Sequence, residues 1–440
     1  MRDYFYKLAD HAFQLADADD ILLLNIRGEL SDFVRMNNAR IRQGGKVEQS
    51  YLEITLINGR KRISHSFSLL QSLDIDKTQV ASAVENLHAK VSLLPEDAYL
   101  SYSRHIHSTE DIGKNELPDT QAAMDRILHS AEGNDLVGIY AAGLIYRGFA
   151  NNLGQKNWYE SHSFNFDFSL YHHQDKAVKS GYTGFTWDQN LFQGKMDQAR
   201  AQLEIMKRDP LTISPGAYRV YLAPKAMGDL VDVLNRRAFG ARDRHNKTSS
   251  LNRMIYEGKR LNPGVTILEN TGGGSACRFQ SDGFIKPDEI TLVQDGTIKD
   301  PLVGSRSAVE LNMECNGASA EETADSLEIL PGKLRTKDII PTLDTGLYLN
   351  NLHYINFSDV NSARLTGLTR FAAFHIKNGE IEAPINVMRF DETMYNVLGE
   401  NLEALTAEQE LLVSSNTQLC RHTECQNIPG AIVNDFRFTL

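Results

Sequence analysis

Three dipeptides that combine an amide or acidic residue with glycine divide the β-rich runs of this chain. Each one follows a run of β-branched and aromatic residues and leads into a second such run. In a two-residue hairpin turn both central residues need a positive φ, which Asn-Gly and Asp-Gly adopt readily. The pattern therefore predicts antiparallel hairpins in both halves of the chain, at Asn58-Gly59, Asp295-Gly296 and Asn378-Gly379.

The first 210 residues alternate helical patterns with strand patterns. Apolar residues recur at intervals of three and four between Phe192 and Met206, which places them on one helix face and predicts a helix over residues 188–208. Strict alternation over residues 163–168 is typical of a half-buried strand. By the same criteria, helices are predicted over residues 3–17, 80–91 and 122–128, and strands over residues 32–35, 39–42, 51–57, 62–67, 136–149 and 177–186.

The second half is predicted to be mostly strand and loop. Asp209-Pro210 ends the preceding helix, so we place a domain boundary there, between residues 1–210 and 211–440. A strand over residues 218–222 leads into a helix that starts at Pro224, and a further helix is predicted over residues 391–405. A chain of 440 residues is long for one core. The fold class is thus α+β, with an N-terminal domain of antiparallel sheet and helices and a β-rich C-terminal domain.

Composition excludes several classes of function. The formal net charge is −11, whereas nucleic-acid binding relies on basic surfaces, so no nucleic-acid partner is expected. The N-terminus has acids where a signal peptide carries its positive end and apolar run, and the longest apolar stretch nearby, residues 21–24, is too short to span a bilayer. Four cysteines in a chain of this length are typical of reduced thiols. We therefore expect a cytoplasmic protein without membrane contact.

Several segments resemble the TldD/PmbA family. The most specific is LTGLTRFAAFHIKNGEIEAPINVMRFDETMYNVLGENLEAL, residues 365–405. Supporting segments are SDFVRMNNARIRQGG (31–45), AYRVYLAPKAMGDLVDVL (217–234), SDGFIKPDEITLVQDGTIKD (281–300), SRSAVELNMECNGAS (305–319) and TGLYLNN (345–351).

The resemblance implies two domains and a role in proteolysis. Catalytic members of the family, the D-type subunits, pair with a sister subunit that has no catalytic motif. Together they trim leader segments from peptide precursors or degrade unfolded peptides. An older label for the family is modulator of DNA gyrase.

The family's catalytic motif is missing here. The resemblance places HExxxH on the helix that begins at Pro224, where two imidazoles would hold Zn²⁺ and a carboxylate would act on the metal-bound water. This stretch reads MGDLVDVLNRRAF (227–239), which has no histidine; Asp232 is the carboxylate nearest the motif position, and His245 lies beyond the helix. The chain is therefore similar to the E-type, PmbA-like subunit. We assign it no catalytic residue and no cofactor, and expect zinc in a catalytic sister subunit.

Other metal-ligating residues are weaker candidates. Cys420, His422 and Cys425 lie together with Glu424, close to where catalytic members keep a cysteine ligand, but a structural zinc takes four ligands and no second pair is evident. The alternative is a surface loop. His353 and His375 are candidates in the most recognisable segment, where strand histidines are commonly structural. His172-His173, beside Gln174-Asp175, is interpreted as a polar turn, and the loop at 271–275 lacks the Walker lysine.

Three hypotheses follow. In the first, the chain is a non-catalytic subunit that grips an extended peptide at a sheet edge and pairs with an HExxxH-bearing D-type sister, or with itself when alone. In the second, it is an active metallopeptidase with the unconventional ligands His353, His422 and Cys420. In the third, it is a peptide-binding or regulatory module linked to DNA gyrase.

Overall fold

The protein is described here by a computed structural model that covers residues 1–173 and 176–440. Its first half contains one sheet with the strand order β3-β2-β1-β5-β6-β4, and β7 also pairs with β6. All neighbours are antiparallel except β4 and β6. The strands are β1 (Asp20–Asn37), β2 (Arg40–Asn58), β3 (Lys61–Ser68), β4 (Thr109–Ile112), β5 (Asp135–Asn151), β6 (Lys156–His173) and β7 (Lys176–Gly184).

Both predicted meanders of the first half are confirmed. The turn between β2 and β3 is Gly59-Arg60, one residue later than predicted, because Asn58 pairs with Lys61. Gly59 takes φ +60°, the positive value that glycine adopts readily at the first position of a hairpin turn. Strand β1 begins at Asp20, well before the predicted strand at 32–35. The four predicted helices are present, although the first ends at Phe13 rather than at residue 17. They are α1 (Arg2–Phe13), α2 (Leu73–Val91), α3 (Thr120–Ser130) and α4 (Gln189–Met206).

The second half is built on a larger mixed sheet. Its order is β11-β10-β9-β12-β18-β16-β14-β13-β8, with β15 beside β14, β17 beside β18 and a further pairing of β18 with β8. The strands are β8 (Gly216–Leu222), β9 (Ile267–Glu269), β10 (Ile290–Gln294), β11 (Thr297–Ile298), β12 (Ser326–Ile329), β13 (Gly346–Asp359), β14 (Arg364–Lys377), β15 (Glu380–Pro384), β16 (Arg389–Thr393), β17 (Leu402–Val413) and β18 (Cys425–Phe438).

Five short or medium helices accompany this sheet. The hairpins predicted at Asp295-Gly296 and Asn378-Gly379 join β10 to β11 and β14 to β15. The helix predicted from Pro224 is confirmed. The helices are α5 (Pro224–Ala238), α6 (Ala241–His245), α7 (Asn252–Tyr256), α8 (Ser305–Leu311) and α9 (Ile339–Leu343).

The helix predicted over residues 391–405 is wrong. This segment forms the end of β16, a single π-helical turn (Asn396–Glu400) and the start of β17. Leu402 pairs with Val433 of β18, and the buried Glu392 carboxylate accepts hydrogen bonds from the Arg437 backbone N–H at 3.1 Å and from Asn396 at 2.8 Å. Long-range strand pairing thus outweighs the local helical spacing.

The two sheets share an apolar core. Phe166 and Phe192 from the first half lie in the same buried cluster as Tyr221, Tyr348 and Ile432 from the second. The boundary predicted at residue 210 falls in the connection between α4 and β8. Over residues 1–173 and 176–440, no helix has the length and apolar character needed to cross a membrane.

Candidate functional site in the cleft beside helix α5

Helix α5 has one buried face and one face that lines a cleft. Pro224 occupies its first turn, where a missing N–H costs nothing, and Ala223 before it is extended. Met227, Leu230 and Leu234 are buried against the second sheet. This packing fixes the helix and leaves the opposite face free to carry other chemistry.

Two adjoining cavities form the cleft. One measures about 740 Å³ and reaches the first sheet, and the other measures about 620 Å³ and reaches β13. Volumes of this size are typical of ligand sites. Residues that line both cavities come from α5, from the loop before β12 and from the segment between β17 and β18: Asp232, Asn235, Arg236, Ala324, Ser414, Asn416 and Glu424.

The cleft face of α5 carries two ion pairs. Lys225 lies 2.8 Å from Asp229, and Arg236 lies 2.6 Å from Asp232, each pair spaced by four residues. Burial alone would lower the pKa of Lys225, but the carboxylates of Asp229 and Asp167 outweigh it and raise that pKa. Each carboxylate on this face is therefore matched by a cation that would repel a metal ion. These side chains do not fit the zinc that the family resemblance implies for this helix.

Strand β13 forms a second wall, and part of its edge there pairs with no strand among residues 1–173 and 176–440. It pairs with β14 on one side, but β8 covers its other side only from Leu347 to Leu349, where the Ala223 N–H also bonds to the Leu349 carbonyl. Leu352 to Ile355 line the cleft beyond that point. An unpaired edge offers main-chain donors and acceptors to another extended segment.

A bulge in β13 places an aromatic side chain in the cleft. The pairing register shifts between His353 and Asn356, and Tyr354 sits at φ +51° with 74% of its surface exposed. The rings of His353 and Tyr354 are 4.3 Å apart. Burial and the positive charge of Arg370 lower the pKa of His353, so its imidazole is neutral at neutral pH.

The loop between β17 and β18 forms the third wall. His422 bonds through Nδ1 to Glu424 at 3.1 Å and through Nε2 to the Gln418 carbonyl at 3.3 Å. The hydrogen bond that His422 donates to the Glu424 carboxylate raises the pKa of His422, with burial acting against it. Burial would raise the pKa of Glu424, but the bond and charge of His422 bring it to about 2. Both ring nitrogens of His422 thus already have protein partners.

The buried side chain of Arg421 anchors this loop on the first sheet. Its Nη2 donates to the carbonyl and hydroxyl oxygens of Ser163, both at 2.8 Å, and its Nη1 lies 3.4 Å from the Gly143 carbonyl. Burial lowers the pKa of Arg421 to about 10, so it stays charged at neutral pH, and the nearby charge of Glu29 favours that form. The loop is therefore held between the two sheets.

A buried lysine lies at the floor of the cleft. Lys286 is 6% exposed, forms an ion pair with Asp325, and lies 3.7 Å from Glu269. Burial raises the pKa of Glu269, partly offset by the Lys286 charge. Sequence reasoning missed this cluster. The one available signal was a lysine beside Pro287 in the turn after Asp282-Gly283, within a segment that resembles the family.

The structure does not gather the predicted metal candidates. Cys420 and Cys425 are buried, and burial raises the pKa of both thiols, that of Cys420 to about 11. Over residues 1–173 and 176–440, one group of three His, Cys, Asp or Glu side chains lies close enough together to hold a metal ion: Asp17, Asp20 and His88. The predicted candidates Cys420, His422, Cys425 and His353 are not part of such a group.

The Asp20 group is itself structural. Its carboxylate lies 2.6 Å from His88 Nε2 and accepts a hydrogen bond from Asn58 at 2.9 Å. Burial alone would raise the pKa of Asp20, but these hydrogen bonds lower it. The carboxylate thus ties α2 to the first hairpin.

The remaining sequence candidates lie away from the cleft chemistry. His375 on β14 forms a hydrogen bond of 2.7 Å with Glu382 of β15, which links the two strands of this hairpin. The loop at 271–275 includes Ser275, whose hydroxyl donates to the Thr423 carbonyl at 2.7 Å. The turn predicted beside His172-His173 involves residues 174 and 175, which lie outside the described residues.

The half of the chain that carries helix α5 and the larger sheet places the protein in a metallopeptidase-related class, because it matches a family model of that class. Residues 215–439 match the family model of the PmbA/TldA metallopeptidase C-terminal domain. The chain belongs to the PmbA/TldD family. No curated protein matches it.

Solved structures share the fold over nearly the whole chain. TldE from Thermococcus kodakarensis superposes with a TM-score of 0.79 at 14% identity, covering 99% of this chain and 100% of that one. A proposed modulator of a DNA gyrase from Thermotoga maritima superposes with a TM-score of 0.75 at 13% identity, covering 99% of this chain and 100% of that one. A proposed modulator of DNA gyrase from Bacteroides thetaiotaomicron superposes with a TM-score of 0.72 at 13% identity, covering 99% of this chain and 98% of that one. These likenesses confirm the α+β fold.

Proposed function

We propose that this chain is the non-catalytic subunit of a two-subunit metallopeptidase that processes or degrades peptides. It binds an extended peptide in the cleft and pairs with an HExxxH-bearing sister subunit that supplies the zinc. The observation that carries the proposal is the cleft face of α5. The helix that the family resemblance assigns to the metal carries the pairs Lys225–Asp229 and Asp232–Arg236 instead of imidazoles.

The unpaired edge of β13 supports peptide binding. A peptide that adds as a strand gains main-chain hydrogen bonds that do not depend on its sequence. The edge faces a cavity of about 620 Å³, which has room for an extended segment. This agrees with a subunit that handles varied peptides.

A second nearby edge is already occupied. On the outer side of β17, the Thr183 hydroxyl donates to the Leu411 carbonyl at 2.9 Å and accepts from the Val413 N–H at 3.3 Å. Asn165 donates to the Val413 carbonyl at 3.0 Å. Side chains of the first sheet thus close this edge, which favours β13 as the peptide-binding strand.

The partner proposal is tested by reconstitution. The purified chain is mixed with an HExxxH-bearing sister and a leader peptide, and complex formation and cleavage are measured by size-exclusion chromatography and mass spectrometry. We expect a stable complex and faster cleavage than with the sister alone. No complex and no gain in cleavage would refute the proposal.

The strand-addition proposal has its own probe. Two versions of the same peptide are N-methylated at alternate amides, one set in each register. Because only one set of amides faces β13, one version should bind much more weakly than the other. Equal affinity of both versions would exclude pairing at a strand edge.

A further inference from the structure

A third cavity lies at the junction of the two sheets, and neither the zinc chemistry nor strand pairing uses it. This junction cavity measures about 450 Å³. Helix α4 and strand β7 line it from the first half of the chain, and β8, β13 and β17 line it from the second. Its size is in the range of pockets that bind small ligands or single side chains.

The charges on its wall compensate one another. Lys195 forms an ion pair with Glu410 at 2.7 Å, and Lys225 pairs with Asp229. A charged ligand would have to break such pairs or remain unpaired, which is costly in a partly buried site. The charged residues that line the cavity are three lysines and three carboxylates: Lys179, Lys195, Lys225, Asp167, Glu408 and Glu410. The cavity therefore favours an uncharged ligand.

Its interior offers hydrogen bonds beside apolar surface. Tyr221, Tyr348 and Gln202 line it and are all more than nine-tenths buried. The Tyr348 hydroxyl accepts a long hydrogen bond, 3.4 Å from Gln198 Nε2, and also interacts with the Gln202 side chain. Its own proton can serve an acceptor on a ligand. Leu191 and Ile339 add apolar wall, together with the tyrosine rings. An aromatic ring with a polar end matches this combination.

The junction cavity adjoins the cleft. Both spaces are lined by Lys225, Leu412, Val413 and Ser415. Strand β13 runs along both, with Tyr348, Asn350 and Asn351 at the junction cavity and Leu352 to Ile355 at the cleft. A peptide lying along β13 would therefore carry one of its side chains past the mouth of the junction cavity.

We propose that the junction cavity binds a tyrosine side chain, an aromatic ring whose polar end can accept a hydrogen bond, from a peptide held in the cleft. This inference rests on the proposed function. It adds a preference for one side chain to peptide binding through main-chain hydrogen bonds. Tyr348 is the specificity-determining residue, because its hydroxyl meets the polar end of the ring.

The test uses three labelled peptides that are identical except for one residue, which is tyrosine, phenylalanine or alanine. Binding to the full chain is measured by fluorescence anisotropy. We expect the tyrosine peptide to bind about tenfold more tightly than the alanine peptide, with phenylalanine between them.

Two variants locate the effect. Gly194 lies on α4 at the cavity, and a side chain there would start in open space, so Gly194→Met fills the cavity without disturbing the helix. It should abolish the preference for tyrosine and leave the affinity for the alanine peptide unchanged. Tyr348→Phe should lower the affinity for the tyrosine peptide to that for the phenylalanine peptide. Glu204→Met, at an exposed position of the same helix away from the cavity, is the matched control and should change neither affinity.

The outcomes separate the two proposals. Equal affinity for the tyrosine and alanine peptides overturns the junction-cavity proposal and leaves peptide binding in the cleft intact. A tyrosine preference that survives Gly194→Met also overturns it. Failure of every peptide to bind overturns both proposals.

Discussion

The two faces of helix α5 differ in how strongly packing constrains their residues. The buried face, with Leu230 and Leu234, is fixed by packing against the second sheet. The cleft face, with Asp232 and Arg236, has no packing partner that fixes its identity, because both side chains are more than half exposed. The fold can thus be kept while the chemistry of the cleft face changes.

The largest expected effect lies on the buried face. Leu234→Ala removes a side chain that is 1% exposed and leaves a cavity against the second sheet. We expect the free energy of unfolding to fall by about 2–5 kcal/mol, measured by urea denaturation. A loss below about 1 kcal/mol would contradict the claim that this face fixes the helix.

The loop wall of the cleft offers an intermediate case, in which a charged side chain is buried. Arg421→Ala removes the hydrogen bonds to Ser163 and leaves its buried acceptors without a donor. We expect a loss of about 2–3 kcal/mol. Thermal unfolding measures it, and unchanged stability would show that the guanidinium does not hold the loop.

A smaller, pH-dependent effect is expected from His422 and Glu424 in the same loop. The raised pKa of His422 means that its contribution is complete below its ordinary value of 6.5 and is lost as pH rises through the raised value. The lowered pKa of Glu424 means that its contribution is present above 4.5 and is lost as pH falls toward about 2. The pair is thus intact between these limits.

Glu424→Gln should therefore lower the free energy of unfolding by up to about 1 kcal/mol near pH 5.5 and by clearly less near pH 9. The effect is small because both side chains are partly exposed to solvent. The measurement is urea denaturation of wild type and variant at both pH values. A larger loss at the higher pH would reverse the assigned sign.

The smallest effect is expected on the cleft face of α5. Asp232→Ala breaks an exposed ion pair with Arg236, and such pairs contribute little because water and salt screen them. We expect the free energy of unfolding to change by no more than about 0.5 kcal/mol. A change as large as that of Leu234→Ala would erase the distinction between the two faces.

Elements with a strong local signal could be predicted from the sequence. The hairpins at Asp295-Gly296 and Asn378-Gly379 are confirmed because a two-residue turn is specified by the turn residues themselves. The hairpin predicted at Asn58-Gly59 is also present, with its turn one residue later, at Gly59-Arg60. Helix α5 is confirmed because Pro224 and the spacing of its apolar residues act within a single element. The absence of histidine on this helix could likewise be read directly from the sequence.

Features that depend on distant partners could not be predicted. Residues 391–405 have helical spacing, yet Leu402 pairs with β18, and Gly399 has non-helical dihedral angles. Arg421 looks like a surface residue in sequence, and its partners Ser163 and Gly143 lie more than 250 positions away. The unpaired edge of β13 exists because β8 ends at Leu222, which no local pattern in β13 indicates.

We propose that this chain has no catalytic metal centre of its own. The direct measurement is elemental analysis of protein purified without chelator, combined with a peptide-hydrolysis assay of the isolated chain. We expect substoichiometric transition metal and no hydrolysis until a catalytic sister is added. One tightly bound metal ion per chain, lost together with hydrolytic activity in Cys420→Ala, would contradict it.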